Sequence, residues 1–183
     1  MANTYPQLVA FDLDYTLWDL WIDTHVTGPF HREGNKLNEV LDRYGQPISF
    51  YREVPSVLHR LKFAGVKIAA CSRTSTPELA REALSLLLVP PSKAEPNEPP
   101  KKAIQYFDEL EIYPDSKITH FTELHKKTGI PYSQMLFFDD EKRNKEVEKL
   151  GVTFILVKNE TNENLLESGL AEWRRRQPTQ DTD

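Results

Sequence analysis

Apolar runs of strand length alternate along this chain with stretches whose apolar residues recur at helical spacing. Leu8 to Phe11 is a short continuous apolar run, as expected of a strand covered on both faces, and it ends at Asp12. Val54, Val57, Leu58 and Leu61 share one helical face and predict a helix over 54–64, stopped by Gly65. Val66 to Cys71 reads as a second strand. Thr76 to Leu88 reads as a helix, with Thr76 at the N-cap and Pro77 at the first helical position. Glu111 to Tyr113 is a weak strand. Ile118 to Thr128 is a helix ended by Gly129 and Pro131. Met135 to Phe138 is a strand ending at Asp139, and Glu141 to Leu150 a helix closed by Gly151. Val152 to Val157 and Asn162 to Arg176 complete the series as a strand and a helix.

Strands alternating with helices predict an α/β fold, a Rossmann-like three-layer α/β/α arrangement around a mainly parallel sheet. In such sheets ligands bind beyond the carboxyl ends of the strands. The polar residues just past each strand are therefore the ones to inspect for chemistry. They are Asp12 and Asp14, then Ser72 and Arg73, then Asp139 and Asp140, with Lys117 opening the helix after the weak strand. The segment from Val89 to Lys102 contains five prolines among Lys, Glu and Asn and reads as an exposed loop.

Length and composition narrow the picture. With 183 residues, 39% of them hydrophobic, the chain is expected to form one domain over 1–176 followed by a polar, disordered tail over 177–183. The net charge of −5 disfavours bulk nucleic-acid binding, which needs a basic surface. The run Arg174 to Arg176 suits a helix end, where cations complement the dipole. Cys71 is the single cysteine, so neither an internal disulfide nor a thiolate zinc site is available. No signal peptide or membrane span is legible. A monomeric cytoplasmic protein is the expectation, with the nucleus left open and no nucleic-acid or membrane partner.

The candidate chemistry lies in the acidic strand ends. Gathering Asp12, Asp139 and Asp140 at one sheet edge is costly without a cation, and Mg2+ relieves it by taking oxygen ligands. Two charges from magnesium and one from Lys117 offset the three carboxylates, so a phosphate dianion is not repelled. Asp12 is ionised at neutral pH and needs no base to attack phosphorus. Asp14 can protonate the leaving group and then deprotonate water. Ser72, Arg73 and Lys117 are the candidate substrate- and phosphate-binding residues: Ser72 can donate to a phosphate oxygen, and the lysine and the metal can hold others.

Phe11-Asp12-Leu13-Asp14-Tyr15-Thr16-Leu17-Trp18, Ser72-Arg73-Thr74, Lys117 and Phe137-Phe138-Asp139-Asp140-Glu141 resemble, in order and spacing, the four signatures of the haloacid dehalogenase (HAD) superfamily. The longer stretches resemble its eukaryotic magnesium-dependent phosphatase 1 family. The resemblance spans Leu8 to about Val157. It implies a magnesium-dependent phosphatase that works through an aspartyl-phosphate on Asp12. It also implies a metal held by the Asp12 carboxylate, the Asp14 main-chain carbonyl and the last acidic pair. By analogy Asp140 is favoured as direct ligand, with Asp139 against metal-bound water or Lys117. Tyr15 stands where many members carry Gly, and Arg73 where a small or amide residue is common. The intervals on either side of Ser72 are too short for a cap of domain size. The cleft is therefore expected to be open, edged by a hairpin from Trp18 to Phe30 and lined by Trp18, Trp21, His25, Phe30 and Arg73. Such a cleft admits a phosphorylated protein side chain of the phosphotyrosine type, or a small metabolite such as a sugar phosphate.

Three other readings compete. A receiver-type phospho-accepting domain uses similar groups in a different chain order. A non-catalytic binding module would have lost Asp12 or Asp14. A phosphotransferase of the same fold would deliver the phosphoryl group to an acceptor other than water. Cys71 precedes Ser72-Arg73 without the longer phosphate-cradling loop of a cysteine phosphatase, and reads as a buried strand residue.

Overall fold

The structure, a computed structural model, describes residues 4–178. The chain runs β1 (Leu8–Phe11), β2 (Val40–Leu41), β3 (Pro47–Ile48), α1 (Val54–Phe63), β4 (Lys67–Ser72), α2 (Pro77–Leu86), β5 (Leu88–Val89) and β6 (Lys101–Lys102). It continues through β7 (Glu109–Ile112), α3 (Lys117–Thr128), β8 (Met135–Asp139), β9 (Thr153–Leu156) and α4 (Glu163–Arg176), with 3₁₀ turns at Ala103–Tyr106, Tyr132–Gln134 and Lys142–Leu150.

Five strands form one parallel sheet in the order β7-β4-β1-β8-β9. Alternation along the strands sends Val9, Phe11, Ile68, Ala70, Leu136 and Phe138 into a core shared with α1, α2 and α4. Leu8, Ala10, Ala69, Cys71, Met135 and Phe137 turn the other way, onto Phe121 and Leu124 of α3 and Val147 of the last 3₁₀ segment. Both faces are covered, which is why the strands read as unbroken apolar runs. The expected three-layer α/β/α architecture is observed, without a cap of domain size.

Several local expectations shift. The segment expected as a helix over 141–150 is 3₁₀. A period of three places Asn144, Val147 and Leu150 along one side, and these are the positions turned inward. Helix α2 ends at Leu86, because Leu88–Val89 pairs with Lys101–Lys102 and closes the base of the Pro-rich loop. Pro77 sits at the start of α2 as expected, but the Thr76 side chain makes no cap and faces the Thr74 hydroxyl at 3.2 Å. The weak strand runs over Glu109–Ile112 rather than 111–113, with Glu111 buried against the Tyr113 hydroxyl and Lys127.

The hairpin expected over Trp18 to Phe30 is not formed: these residues make turns, with isolated bridges from Trp18 to Phe50 and from His31 to Leu41, and a hairpin stands instead at Val40–Leu41 and Pro47–Ile48, outside the residues that line the cleft. Its turn is built by the buried Asp42 carboxylate, which accepts from the Thr27, Tyr44 and Gln46 amides. At the far end, Gln177 is joined to Ser133 and Gln134. The tail expected over 177–183 falls outside the described residues from position 179 onward. Among the described residues no helix is long and apolar enough to cross a membrane.

Candidate active site

Asp12 follows β1 directly, and its amide donates to the Phe138 carbonyl at 2.9 Å, carrying the ladder one step beyond the strand. The chain then coils. Thr16 and Leu17 both donate to the Leu13 carbonyl, at 3.1 and 2.8 Å. Tyr15 adopts φ +56°, a left-handed conformation that disfavours any side chain and costs about 1–3 kcal/mol. This is the position where glycine is common in the superfamily. The coil places Asp14 beside the cleft rather than across the sheet from Asp12. Asp14 accepts from the Trp18 indole at 2.7 Å and from the Ile22 amide at 3.3 Å.

Lys117 opens α3, whose Ser116 cap accepts from the Thr119 amide at 3.1 Å. The side chain is wholly buried. Its ammonium donates to Asp12 Oδ1 at 2.7 Å and to the Cys71 carbonyl, and pairs with Asp139 Oδ2 at 3.4 Å. Asp139, the last residue of β8, accepts from the Glu141 amide at 2.7 Å and from Asn144 Nδ2 at 2.8 Å. Asp140 is half-buried and meets the Thr16 hydroxyl at 3.4 Å. Ser72 closes β4, and its Oγ accepts from the Thr74 amide at 3.3 Å. Arg73 donates to Asn144 Oδ1 at 3.2 Å.

All seven residues singled out in the sequence reach one sheet edge. A cleft of about 260 Å³ is lined by Asp12, Asp14, Ser72, Arg73, Lys117 and Asp140, among others. Asp139 lies just beneath it, fully buried. Of the aromatic residues expected along the rim, Trp18 and Phe30 belong to the core. Trp21 is half exposed in the cleft, and His25 stacks on it with ring centres 5.3 Å apart. Three supporting contacts were not legible in the sequence, although Thr16 and Trp18 lie within its first signature. Trp18 holds Asp14, Thr16 holds Asp140, and Asn144 bridges Asp139 and Arg73. For Asn144 the only signal was its closeness in sequence to an acidic strand end.

Oxygens of Asp12, Asp139 and Asp140 lie within 4.8 Å of one another. Crowding carboxylates in a buried place resists their ionisation. Burial, and then the charge of Asp12, raise Asp139 from 3.8 to about 7 and Asp140 to about 6. Asp12 is itself raised by burial, with Lys117 pulling the other way. Asp14 is raised to about 7, first by burial and then by Asp12. An all-oxygen set of this kind suits a hard divalent cation such as magnesium, which would relieve the repulsion. Burial also pushes the Cys71 thiol up, so it is not a nucleophile. His120, on α3, has its Nε2 at 3.0 Å from the Tyr113 carbonyl. Burial, and then Lys117, hold it down at about 4 and keep it neutral.

Comparison with known proteins agrees with this geometry. The chain matches the acid phosphatase family over residues 4–176. It is 50% identical over 166 residues to human magnesium-dependent phosphatase 1, covering 90% of this chain and 85% of the relative. It is 46% identical over 160 residues to a HAD-like hydrolase superfamily protein of Schizosaccharomyces pombe, covering 86% and 90%. Among solved structures, the 3-deoxy-D-manno-octulosonate 8-phosphate phosphatase of Moraxella catarrhalis, in complex with magnesium, phosphate and KDO, superposes with a TM-score of 0.53 at 18% identity. That superposition covers 94% of this chain and 88% of the other, and it bears on the fold alone. The match to the family and the two close relatives, on a fold shared with HAD phosphatases, show that the chain belongs to the acid phosphatase family of HAD-like hydrolases.

Proposed function

We propose that the chain is a magnesium-dependent phosphomonoester hydrolase that works through an aspartyl-phosphate on Asp12. The observation that carries this reading is the gathering of Asp12, Asp139 and Asp140 within 4.8 Å of one another around the buried Lys117. The human relative's name supplies the metal. Asp12, Asp140 and the Asp14 main-chain carbonyl would hold it, with Asp139 behind them against Lys117. When bound, magnesium draws charge from the phosphoryl oxygens and neutralises the carboxylates.

The protein's own groups carry the remaining steps. The Asp12 carboxylate attacks phosphorus in line, and the bond from phosphorus to the leaving oxygen breaks. Asp14 gives its proton to that oxygen. Burial and then Asp12 raise Asp14 to about 7, the direction a general acid requires. Water then attacks phosphorus, Asp14 takes its proton, and Asp12 is released with inorganic phosphate. Trp18 and Ile22 fix the Asp14 carboxyl for both transfers.

The uncapped cleft supports substrates whose phosphate projects from a larger body. These are a phosphorylated protein side chain of the phosphotyrosine type or a phosphorylated sugar. Comparing kcat/KM for phosphotyrosine peptides and sugar phosphates decides between them. Asp12→Asn should reduce turnover of p-nitrophenyl phosphate below about a thousandth while leaving the fold intact. Chelation should stop wild-type turnover and added magnesium restore it. A near-normal rate in Asp12→Asn removes the nucleophile assignment.

A further inference from the structure

The Pro-rich loop between β5 and β6 is held in place at three points. Pairing of Leu88 with Lys102 and of Val89 with Lys101 closes its base. The Glu95 amide donates to the Ser92 carbonyl at 3.2 Å and to the Ser92 hydroxyl at 3.1 Å, and the Glu98 amide donates to the Glu95 carbonyl at 3.2 Å. These two turns fix Glu95. A carbonyl only accepts, so His59 Nε2 donates to the Pro90 carbonyl at 2.8 Å and pins the loop to α1. The Tyr106 hydroxyl faces the other ring nitrogen at 3.5 Å. Between loop and helix lies a hollow of about 320 Å³, at the lower end of the size range of binding sites for small groups. It has no lining residue in common with the acidic cleft.

Phe63 and Tyr106 give the hollow an aromatic wall, and Pro91 and Pro99 add apolar surface. The Phe63 ring is 59% exposed, although few large apolar side chains of this protein are left in water. Four charged groups line the hollow. Lys62 is held by Asp108 at 2.7 Å, and Lys101 lies 3.9 Å from Glu98. Glu95 remains, and its carboxylate has no cation within 4.0 Å among the described residues. It stands close to the aromatic wall, since its charge adds to burial in raising the Tyr106 hydroxyl.

An unpaired carboxylate beside aromatic rings calls for a flat cation. A guanidinium stacks on a ring and meets a carboxylate through two parallel N–H donors, whereas an ammonium is a compact, strongly hydrated charge. The apolar stem of an arginine suits the proline surface. An anion would be repelled by Glu95, and a neutral apolar group would desolvate that carboxylate without pairing it. Phe63, Glu95 and Pro99 are exposed, so the hollow opens to solvent and an arginine can enter it while its main chain stays outside.

We infer that this hollow is a docking site for an arginine side chain presented by a polypeptide partner, with Glu95 as the pairing carboxylate and Phe63 and Tyr106 as the stacking faces. The inference is independent of the phosphatase reading, because it uses none of the residues of the cleft.

The test is binding to the full chain, followed by NMR titration, of Nα-acetyl-arginine amide, its lysine and citrulline counterparts, and a capped pentapeptide with one arginine between two pairs of alanines. Citrulline keeps the shape of arginine and loses the charge. The arginine amide and the pentapeptide should bind alike. The citrulline amide should bind roughly 10- to 100-fold more weakly, with the lysine amide between. Glu95→Gln should bring the arginine amide down to the level of citrulline and leave citrulline unchanged. Phe63→Ala should weaken the arginine and citrulline amides together, because it removes the stacking face and not the charge. Both positions are exposed, and thermal unfolding verifies that each variant folds.

Equal affinity for the arginine and citrulline amides, or wild-type arginine affinity in Glu95→Gln, overturns the pairing. Undiminished affinity in Phe63→Ala overturns the stacking. Binding of the arginine amide without binding of the pentapeptide overturns the polypeptide partner. No detectable binding of either arginine compound at about 10 mM overturns the site as a whole.

Discussion

Two hollows of similar size lie at opposite ends of the sheet. The one at the amino ends, about 320 Å³, sits under the Pro-rich loop and is lined by His59, Lys62, Tyr106 and their neighbours. The cleft at the carboxyl ends is smaller, about 260 Å³. Charge separates them. At the amino end Lys62 meets Asp108 at 2.7 Å, and the same carboxylate accepts from the Ile68 amide at 2.8 Å. Burial raises Asp108, but these partners outweigh it and hold the group below its ordinary value. At the carboxyl end four aspartates converge, of which Lys117 meets Asp12 and Asp139 alone, and all four are raised. The first arrangement is satisfied by its own neighbours. The second gathers raised carboxylates whose repulsion a divalent cation would relieve, and this, despite the smaller volume, is the ground on which it is proposed as the active site.

The contrast can be broken in several ways, beginning with the largest effect. Asp14→Asn should slow hydrolysis of alkyl phosphates roughly 10²- to 10⁴-fold and aryl phosphates less, because good leaving groups need little protonation. Equal slowing of both classes in steady-state assays counts against Asp14 as the acid. Lys117→Met leaves Asp12 and Asp139 buried without their cation and should cost about 3–5 kcal/mol in urea unfolding. A loss below about 1 kcal/mol would show that the pair is not held as described.

The third test uses pH. Asp14, Asp139 and Asp140 are raised from 3.8 to about 7, 7 and 6, so between about pH 4 and pH 7 the folded chain holds more protons than the unfolded one. Their contribution to stability is present at the acid end of that window and is lost as pH rises. Magnesium, which favours the ionised forms, should raise Tm by a margin that grows with pH across the window. Asp42, Asp108 and Glu172 are lowered and work in the opposite sense, so the informative quantity is the gain on adding magnesium at each pH. A gain that does not change with pH contradicts the cluster as the binding place. The smallest effect belongs to the other hollow. Asp108→Asn should change stability by no more than about 1 kcal/mol and leave kcat untouched.

Much of the fold was legible because each strand of the parallel sheet is buried on both faces and each helix on one, and these burial patterns write themselves into the local spacing of apolar residues. Asp12, Ser72 and Asp139 were legible for the same reason, since strand ends can be seen from the apolar runs that precede them. The departures occur where local pattern underdetermines the backbone. Residues 142–150 satisfy a helical count but bury Asn144 and Val147 three apart, and the hairpin at 40–48 depends on one buried carboxylate gathering the amides of Thr27, Tyr44 and Gln46.

The sequence by itself determined the layer order, the sheet edge on which the acidic residues fall, and the family to which the chain belongs, because these follow from periodicity and from residues close together in the chain. Only the tertiary structure decided which oxygen meets which donor. Lys117 reaches Asp12 across 105 positions, Arg73 reaches Asn144 across 71, and the left-handed turn at Tyr15 brings Asp14 beside the cleft. The physical reason is that a hydrogen bond is set to within a few tenths of an ångström by packing summed over the whole core, and no local pattern carries that information.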